Sequence, residues 1–491
     1  MAKTVLAFDF GASSGRAVLG KYNGKSIELK EVHRFDNDPV LVRGTFYWDI
    51  LRLFHEIKQG ITKAKAVDTF DSIAIDTWGV DFALLDANGD LLQNPVHYRD
   101  NRTDGMPQKF FEKMTSEQLY KKTGVQVMGI NTIFQLYALA QKQPELLKRA
   151  DCALLMPDLM AYMLTGVKSA EYSMASTTQL MNPHTAKWDN ELFEAIGVPQ
   201  LFPEITMPGR VLGEVSKEIC EELGISGVNV ISVAGHDTGS AIVAVPATDK
   251  DFIYISCGTW SLFGTELSAP NISEKSMEYN ITNEGGYNQT SRFLKNIIGL
   301  WLIQETRRQY RREGKEYSYN DLEKHALAAE PFRYLIDPDA PEFVAPGDIP
   351  ARVRAFCNKT GQGEPETVGE IMRCIYESIA LKYRLTYDKI CDCTGSNYRM
   401  IHMIGGGTKD NLLCAMTANA TGCDIMAGPV EATAFGNVAV QLMAGGEISS
   451  LEEARAVIRN SFTSITYKPE TAQVPHWQAT FEKYKTIIDI G

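Results

Sequence analysis

Two polar turns that follow apolar runs hold the residues of this sequence best suited to chemistry. Val5–Phe10 is apolar apart from Asp9 and leads into Gly11–Arg16, which reads GASSGR. Glycines let the backbone approach a ligand closely, and successive N–H groups with serine hydroxyls can bind a phosphate. Asp9 could face a metal ion beside that phosphate. An ordinary glycine-containing hairpin is the alternative interpretation of this stretch taken alone.

The second turn follows Val228–Ala234, a run typical of a β-strand, and reads GHDTG. Asp237 on such a turn can accept a proton from a hydroxyl group, and His236 and Thr238 can bind neighbouring hydroxyls. Asp237 could equally cap the helix that follows. The pattern by itself leaves both interpretations open.

Polar residues also interrupt Ile73–Leu85, where the pattern predicts a strand, a turn and a second strand. Asp76 and Asp81 occupy positions where a buried strand should be apolar. Because a buried carboxylate must be paired or put to use, this stretch is a pocket candidate. His97–Thr103 follows with two arginines, whose guanidinium groups can bind substrate oxygens. A solvated loop is the alternative for this segment.

The elements around these turns predict two similar halves. Phe252–Thr265 repeats the form of the opening stretch, with an apolar run on each side of a Gly-Thr-x-Ser turn. The polar segment Ala247–Asp251 lies directly before this repeat, so we place a domain boundary there. Met400–Asn411 predicts a strand, a turn with three glycines and a helix, which lets a ring or a phosphate lie against the backbone.

Two helices are predicted on different grounds. Ala432–Ala444 consists mostly of small residues, which allow a helix to pack closely against its neighbours. The periodicity of Ile50–Ala66 predicts a helix with one apolar face, formed by Leu51, Phe54, Ile57 and Ile61.

Length, charge and composition exclude several classes of protein. A chain of 491 residues is long enough for two domains, and its net charge of −12 argues against nucleic acid or an anionic membrane as a partner. No apolar run approaches the roughly 20 residues that span a bilayer, and the N-terminal pattern is not that of a signal peptide. We therefore expect a cytoplasmic protein with reduced cysteines, although Cys357 and Cys374 could meet across a loop. The motifs of Rossmann dinucleotide domains and P-loop NTPases are missing.

The motifs together resemble a known superfamily. DFGASSGR, ISCGTWS and HMIGGGTKDN resemble the two phosphate motifs and the adenosine motif of the actin-like ATPases. Within that superfamily, GHDT after a strand resembles the catalytic segment of the FGGY carbohydrate kinases. An ordered series of further motifs, from IDTWGVDFALLD to AGPVEAT, is most similar to the members that phosphorylate L-rhamnulose. The resemblance extends from Val5 to about Met443.

This resemblance implies an α/β fold with two RNase H-like (actin-like ATPase) domains flanking a central cleft. The first domain, 1–246, is then expected to bind the sugar and to carry the first phosphate hairpin. The second domain, 247–491, is expected to carry the second hairpin and the adenosine motif. The implied reaction is ATP-dependent phosphorylation of L-rhamnulose at its 1-hydroxyl, with closure of the domains over both substrates.

The resemblance also implies roles for individual residues. Asp237 falls on the position of the catalytic base, and Asp9 on that of the carboxylate near Mg²⁺. The implied sugar-binding residues are Gly79, Asp81, Arg99, His236, Asp237 and Thr238. The implied ATP-binding residues are Ala12, Ser13, Ser14, Gly15, Arg16, Thr259, Asn296, Gln304 and Gly406.

Other functions stay open at this point. The chain could phosphorylate another ketose or polyol, such as L-fuculose or D-xylulose. It could also be an actin-like ATPase switch that hydrolyses ATP without a sugar, or a catalytically silent sugar-binding regulator. The sequence is compatible with a monomer and with a homo-oligomer.

Overall fold

The computed structural model describes residues 3–490. Its strands are β1 (Lys3–Phe10), β2 (Ser14–Tyr22), β3 (Ile27–Asp36), β4 (Val40–Val42), β5 (Thr45–Tyr47), β6 (Ser72–Thr77), β7 (Phe82–Leu85), β8 (Cys152–Leu155), β9 (Ala170–Glu171), β10 (Met181–Asn182), β11 (Lys187–Trp188), β12 (Ile205–Thr206), β13 (Arg210–Glu214), β14 (Asn229–Ser232), β15 (Ile253–Cys257), β16 (Trp260–Leu267), β17 (Thr282–Gly285), β18 (Ser291–Ile298), β19 (Met400–Ile404), β20 (Asp424–Ala427) and β21 (Ile465–Tyr467).

Helices lie between these strands throughout the chain. They are α1 (Ile50–Lys65), α2 (Met106–Phe111), α3 (Ser116–Thr123), α4 (Thr132–Lys142), α5 (Pro144–Lys148), α6 (Met156–Thr165), α7 (Tyr172–Thr177), α8 (Asn190–Ile196), α9 (Lys217–Leu223), α10 (Asp237–Val243), α11 (Glu274–Glu278), α12 (Trp301–Arg312), α13 (Tyr319–Ala328), α14 (Ile349–Lys359), α15 (Val368–Thr394), α16 (Asn411–Thr421), α17 (Ala432–Ala444), α18 (Leu451–Arg459) and α19 (Val474–Ile490). Among the helices of residues 3–490, none combines the length and the apolar character that a membrane span needs.

The chain folds into two compact units. The first contains residues 3–248, 266–293 and 432–462, and the second contains residues 249–265, 294–431 and 463–490. The first change of unit lies two residues from the predicted boundary at 246/247. Two later segments of the chain also belong to the first unit.

The first unit is built on a six-stranded sheet with the order β13-β14-β6-β1-β2-β3. β1 and β2 form the predicted antiparallel hairpin, in which Asp9 lies opposite Arg16. β1, β6 and β14 run parallel to one another, so their carboxyl ends meet at one edge of the sheet. In open α/β sheets this edge is the usual place for a ligand.

Helix α1 packs on this sheet mostly with the predicted face, in which Phe54 is half-buried and Leu51 is the exception. Its buried residues include Leu53, Ile57 and Ile61, whereas Leu51 is 63% exposed. The buried positions recur every four residues, as expected of one side of a helix. The helix is therefore confirmed, as are Ile57 and Ile61 in its apolar face. The placement of Leu51 in that face was wrong, because Ile50 and Leu53 are buried instead.

The segment Ile73–Leu85 contains both predicted strands, but the strands do not pair with each other. β6 lies in the six-stranded sheet, whereas β7 pairs with β8. Val80, between them, has a φ of 67°, a conformation that is rare for a β-branched residue. Its carbonyl oxygen accepts a hydrogen bond from the Thr132 hydroxyl, which holds the chain in this turn.

The second unit repeats the arrangement of the first. Its sheet includes the order β18-β16-β15-β19-β20-β21, in which β15 and β16 form an antiparallel hairpin and β15 is parallel to β19. The predicted internal repeat is thus an antiparallel hairpin followed by a parallel strand in each unit. Cys357 and Cys374 are both buried and present as free thiols.

Close packing between α17 and α10 depends on Gly436. A Cβ atom at this position would overlap the carbonyl oxygen of Ser240 in α10. We expect Gly436→Ala to lower the free energy of unfolding by about 1–3 kcal/mol, because a backbone atom has to move. Urea denaturation measures this change.

Gly445→Ala is the matched control for Gly436→Ala. Gly445 lies just after α17, and an added Cβ atom would be 3.5 Å from the Gln441 carbonyl oxygen, an ordinary contact. The control should alter stability by no more than about 0.5 kcal/mol. Equal stability of the two variants would contradict the role given to Gly436.

Candidate active site

The candidate catalytic turn joins β14 to α10, at the carboxyl edge of the first sheet. The Thr77 N–H donates to the Gly235 carbonyl oxygen at 2.8 Å and ties this turn to β6. Asp237 is the first residue of α10, and its Oδ1 accepts hydrogen bonds from the N–H (2.6 Å) and hydroxyl (3.2 Å) of Thr238. His236 Nε2 lies 3.5 Å from the same oxygen. Within residues 3–490, no hydrogen bond or ion pair is formed by Oδ2 of Asp237.

The environment of Asp237 raises the pKa of its carboxyl group above the usual range. Desolvation raises the pKa of its carboxyl group, and the negative charge of Asp9 raises the pKa further, whereas His236 and the bonds from Thr238 lower it. The side chain still keeps 29% of its area exposed, so a ligand can reach it. A carboxylate with a raised pKa is a better proton acceptor than an ordinary one.

Helix α7 holds the backbone of the catalytic turn. Ser173 Oγ accepts the His236 N–H at 3.0 Å, and Glu171 Oε2 accepts the Gly235 N–H at 3.0 Å. Glu171 also caps α7 through the N–H groups of Ser173 and Met174. Sequence reasoning did not assign a role to Glu171 or Ser173. The only available signal was the concentration of hydroxyl residues over Ser173–Leu180.

The same helix holds two further loops. Thr177 Oγ1 accepts the Val80 N–H at 3.1 Å, and an added Cβ atom on Gly79 would lie 3.2 Å from Thr177. Ser176 Oγ accepts the Gly285 N–H at 2.7 Å. One short helix therefore positions the turn at Gly79, the catalytic turn and the end of β17.

Asp81, one of the implied sugar-binding residues, has no exposed surface. Its two carboxylate oxygens accept hydrogen bonds from Trp48 Nε1 (2.7 Å), Trp78 Nε1 (3.0 Å), Gln135 Nε2 (3.0 Å) and the Tyr98 N–H (3.2 Å). Burial raises the pKa of Asp81 to about 6, although these donors oppose the change. The structure thus places Asp81 where it orients two indole rings.

Those rings belong to an aromatic stack that ends at Arg99. The ring centroids of Trp48 and Trp78 are 4.0 Å apart, those of Trp48 and His97 4.2 Å, and those of His97 and Tyr98 4.5 Å. The Arg99 guanidinium lies 5.5 Å from the Tyr98 ring centroid and keeps part of its surface exposed. Burial, and secondarily the charge of Arg99, lowers the pKa of His97 to about 3, so this imidazole is neutral at pH 7.

Two carboxylates lie side by side where β1 and β6 end. Asp9 pairs with Asp76 in the register of these strands, and Arg16 Nη2 lies 2.7 Å from Asp9 Oδ2. Asp76 is completely buried, and its Oδ1 has no hydrogen-bond partner among residues 3–490. Burial raises the pKa of Asp76 well above its ordinary value, and the charges of Asp9 and Asp237 add to this effect.

This acidic edge fits a magnesium ion that is shared with a phosphate. Residues 3–490 contain no group of three or more His, Cys, Asp or Glu side chains arranged to hold a metal by themselves. Mg²⁺ beside nucleotides is usually held by one or two carboxylates, with phosphate oxygens and water as the other ligands. A cation at Asp9 would also compensate the neighbouring charges and the unpartnered Asp76 oxygen.

The first candidate phosphate loop connects β1 and β2 and is held by Asn37. Asn37 Nδ2 donates to the Gly11 carbonyl oxygen at 2.9 Å, and the Asn37 N–H donates to the Ser13 carbonyl oxygen at 3.2 Å. Ser13 is exposed, while Ala12, Ser14 and Arg16 are half-buried and Gly15 is buried against Phe35. Sequence reasoning missed Asn37, because it lies beyond β3.

In the second unit, the structure brings Thr259 and Gln304 together. The N–H groups of Leu300 and Trp301 donate to the carbonyl oxygens of Gly258 and Thr259, both at 3.1 Å, so α12 begins on this turn. Thr259 Oγ1 lies 3.4 Å from Gln304 Oε1. Asn296 is half-buried on β18, and Gly406 is exposed in the turn that follows β19.

Comparisons with known proteins show the family to which the chain belongs. The model of the N-terminal domain of the FGGY family of carbohydrate kinases matches residues 4–244, and that of the C-terminal domain matches residues 253–445. A protein of Bacteroides thetaiotaomicron named Rhamnulokinase is 42% identical, covering 99% of this chain and 100% of its own. The Rhamnulokinase of Halalkalibacterium halodurans is 45% identical, with 94% and 98% covered. The chain belongs to the FGGY family of carbohydrate kinases.

Solved structures confirm the predicted fold class of this FGGY kinase. Gluconate kinase from Lactobacillus acidophilus superposes with a TM-score of 0.83 at 19% identity, covering 100% of this chain and 98% of that one. A ligand-bound xylulose kinase from the same organism has a TM-score of 0.83 at 18% identity, with 99% and 98% covered. The chain thus has the two-domain α/β fold of the actin-like ATPases. Like other FGGY kinases, it uses ATP to phosphorylate a carbohydrate.

Asp158 binds the backbone of Glu171, and its burial in this FGGY kinase has a measurable effect on the pH dependence of stability. Asp158 Oδ1 accepts the Ser169 hydroxyl at 2.7 Å and the Glu171 N–H at 3.1 Å. Burial raises the pKa of Asp158 to about 8, so its carboxyl group is neutral at pH 7. Because the pKa of Asp158 is higher in the folded than in the unfolded state, folding binds a proton at pH values between the two. The contribution to the free energy of unfolding is therefore fully present below about pH 4 and is lost as the pH rises through 8.

We expect Asp158→Asn, which resembles the neutral acid, to flatten the dependence of stability on pH between 4 and 8. The slope of the unfolding free energy should change by up to about 1.4 kcal/mol per pH unit. Urea unfolding at several pH values measures this slope. Asp90→Asn, at an exposed position, is the control and should keep the wild-type slope. Equal slopes in all three proteins would contradict the burial effect.

Proposed function

We propose that this FGGY kinase phosphorylates L-rhamnulose at its 1-hydroxyl with ATP, using Asp237 as the general base. The observation that carries this proposal is full-length similarity to seven curated proteins named Rhamnulokinase, at 38–45% identity. The solved neighbours act on other substrates and share less than 20% identity, so they bear on the fold alone.

The arrangement of Asp237 supports its role as base. Thr238 holds Oδ1, so Oδ2 is the oxygen placed to accept the proton of the sugar hydroxyl. As that proton leaves, the hydroxyl oxygen bonds to the γ-phosphorus of ATP, and the bond from the γ-phosphorus to the bridging oxygen breaks to release ADP. Phosphoryl transfer requires mainly alignment and charge compensation, which fixed side chains supply.

We assign the sugar to the surface formed by Gly79, Arg99, His236 and Thr238. Gly79 and Arg99 are both half-buried, and the Arg99 guanidinium lies beside the Tyr98 ring. Asp81 contributes to this site through Trp48 and Trp78, which it orients.

We assign ATP to two groups of residues. Ala12, Ser13, Ser14, Gly15 and Arg16 belong to the first unit, and Thr259, Asn296, Gln304 and Gly406 belong to the second. Backbone N–H groups in such loops bind anions. Asp9 would hold Mg²⁺, which compensates the negative charge of the phosphate oxygens.

Several expectations from the sequence stay predictions. They are the assignment of separate roles to 1–246 and 247–491, a location in the cytoplasm, the absence of nucleic-acid and membrane partners, and a monomeric or homo-oligomeric state.

A coupled assay of ADP release over a panel of ketoses tests the proposed substrate. We expect the highest kcat/KM for L-rhamnulose, compared with L-fuculose and D-xylulose, and little ATP turnover without sugar. A higher kcat/KM for another ketose would show that the proposed substrate is wrong, without contradicting the proposed mechanism. Rapid ATP hydrolysis without any sugar would favour an ATPase switch instead.

Asp237→Asn tests the role of the base. The amide cannot accept the proton, so we expect kcat to fall by about 10²- to 10⁴-fold, with little change in ATP binding. Asp90→Asn, which makes the same chemical change at an exposed site, should keep wild-type activity. Near-normal turnover by Asp237→Asn would exclude Asp237 as the base.

A further inference from the structure

A buried ion cluster lies behind the catalytic turn, within the first unit. The Arg292 side chain has no exposed surface, and the side chain of Glu284 is 7% exposed. Arg292 Nη2 lies 3.2 Å from Glu284 Oε2 and 3.1 Å from His236 Nδ1, and Glu284 Oε2 lies 3.3 Å from the same nitrogen. Neither Glu284 nor Arg292 has a role in the reaction described so far.

The chemistry of arginine determines which nitrogen of His236 carries the proton. In the shorter of the two contacts at Nδ1, 3.1 Å to Arg292, the guanidinium group can only donate, so Nδ1 accepts and carries no proton. Glu284 Oε2, at 3.3 Å from Nδ1, is instead placed to pair with the Arg292 guanidinium. In this tautomer the ring proton is on Nε2. This nitrogen lies 3.5 Å from Asp237 Oδ1, so its N–H is directed to the catalytic carboxylate.

Two hydrogen bonds connect the guanidinium, through Gly285, to helix α7. Arg292 Nε donates to the Gly285 carbonyl oxygen at 2.8 Å, and the Gly285 N–H donates to Ser176 Oγ at 2.7 Å. The cluster is therefore tied to α7, which also holds the His236 backbone. Glu284 supplies the counter-charge without which a buried guanidinium would be strongly destabilising.

We propose that Glu284 and Arg292 are positioning residues of the phosphoryl-transfer site. They hold the His236 ring so that its Nε2–H faces Asp237 Oδ1, which leaves Oδ2 of Asp237 to the sugar hydroxyl. This inference rests on the proposed role of Asp237 as the base. Both residues act through His236 and do not contact the substrate.

Steady-state kinetics of Glu284→Gln and Arg292→Lys test this proposal. Both variants keep much of the side-chain size. Glu284→Gln removes the negative charge, and Arg292→Lys removes the planar guanidinium group. We expect kcat for L-rhamnulose to fall by about 10-fold or more, as is typical when the partner that orients a functional histidine is changed. The KM for ATP should stay the same, because the ATP-binding loops are untouched.

Glu266→Gln is the matched control. Glu266 forms another nearly buried ion pair of the first unit, 2.8 Å from Arg455, with both side chains at most 10% exposed. Losing this pair should lower stability without changing kcat. A fall in kcat equal to that of Glu284→Gln would indicate a general effect of buried charge and overturn the proposal.

A double-mutant cycle tests whether the effect passes through His236. In a His236→Gln background, Glu284→Gln should cause no further loss of kcat, because the ring that it positions is gone. Fully additive losses would contradict the proposed route. Wild-type kcat in folded Glu284→Gln would also overturn the inference. By contrast, wild-type protein that fails to phosphorylate L-rhamnulose would contradict the proposed function instead.

Nitrogen-15 NMR of histidine-labelled wild-type protein provides a test that needs no folded variant at Glu284 or Arg292. The His236 signals are those missing from His236→Gln. We expect the chemical shifts of the tautomer that carries its proton on Nε2. A proton on Nδ1 would overturn the proposal.

Discussion

The site depends on hydrogen bonds between one short helix and the backbones of three loops. Ser173, Ser176 and Thr177 of α7 each accept an N–H from a different loop. Each of these N–H groups is at the end of a strand or in a turn, where the regular pattern of hydrogen bonds stops. The hydroxyls satisfy these groups and at the same time set the distances between the loops.

Buried carboxylates extend this arrangement behind the surface that meets the substrate. Glu171 caps α7 and accepts an N–H from the catalytic turn, and Asp158 in turn supports the Glu171 backbone. Asp81 holds two indole rings in the same indirect way. Burying such groups costs free energy unless their hydrogen bonds are satisfied, and here most of them are. These buried hydrogen bonds fix the positions of the exposed groups of the site.

The two carboxylate oxygens of Asp237 have different surroundings. Thr238 occupies Oδ1 and His236 approaches it, while Oδ2 is left to a ligand. Desolvation raises the pKa of Asp237, which makes it a better base but brings its titration closer to neutral pH. In the proposed role of Asp237 as the base, its partial desolvation suits a reaction in which water would compete with the sugar for phosphate.

The sequence by itself determined the hairpin at β1 and β2, its repeat in the second unit, the glycine turn after β19 and the family, because these are local patterns of glycines and apolar runs. It wrongly placed Leu51 in the apolar face of α1, where Ile50 and Leu53 are buried instead. Nor did it show that Asp81 is buried against two indole rings, that Asn37 holds the loop between β1 and β2, or that Glu171 holds the turn before α10. Those contacts join residues far apart in the chain, and only the tertiary structure decides which N–H meets which oxygen.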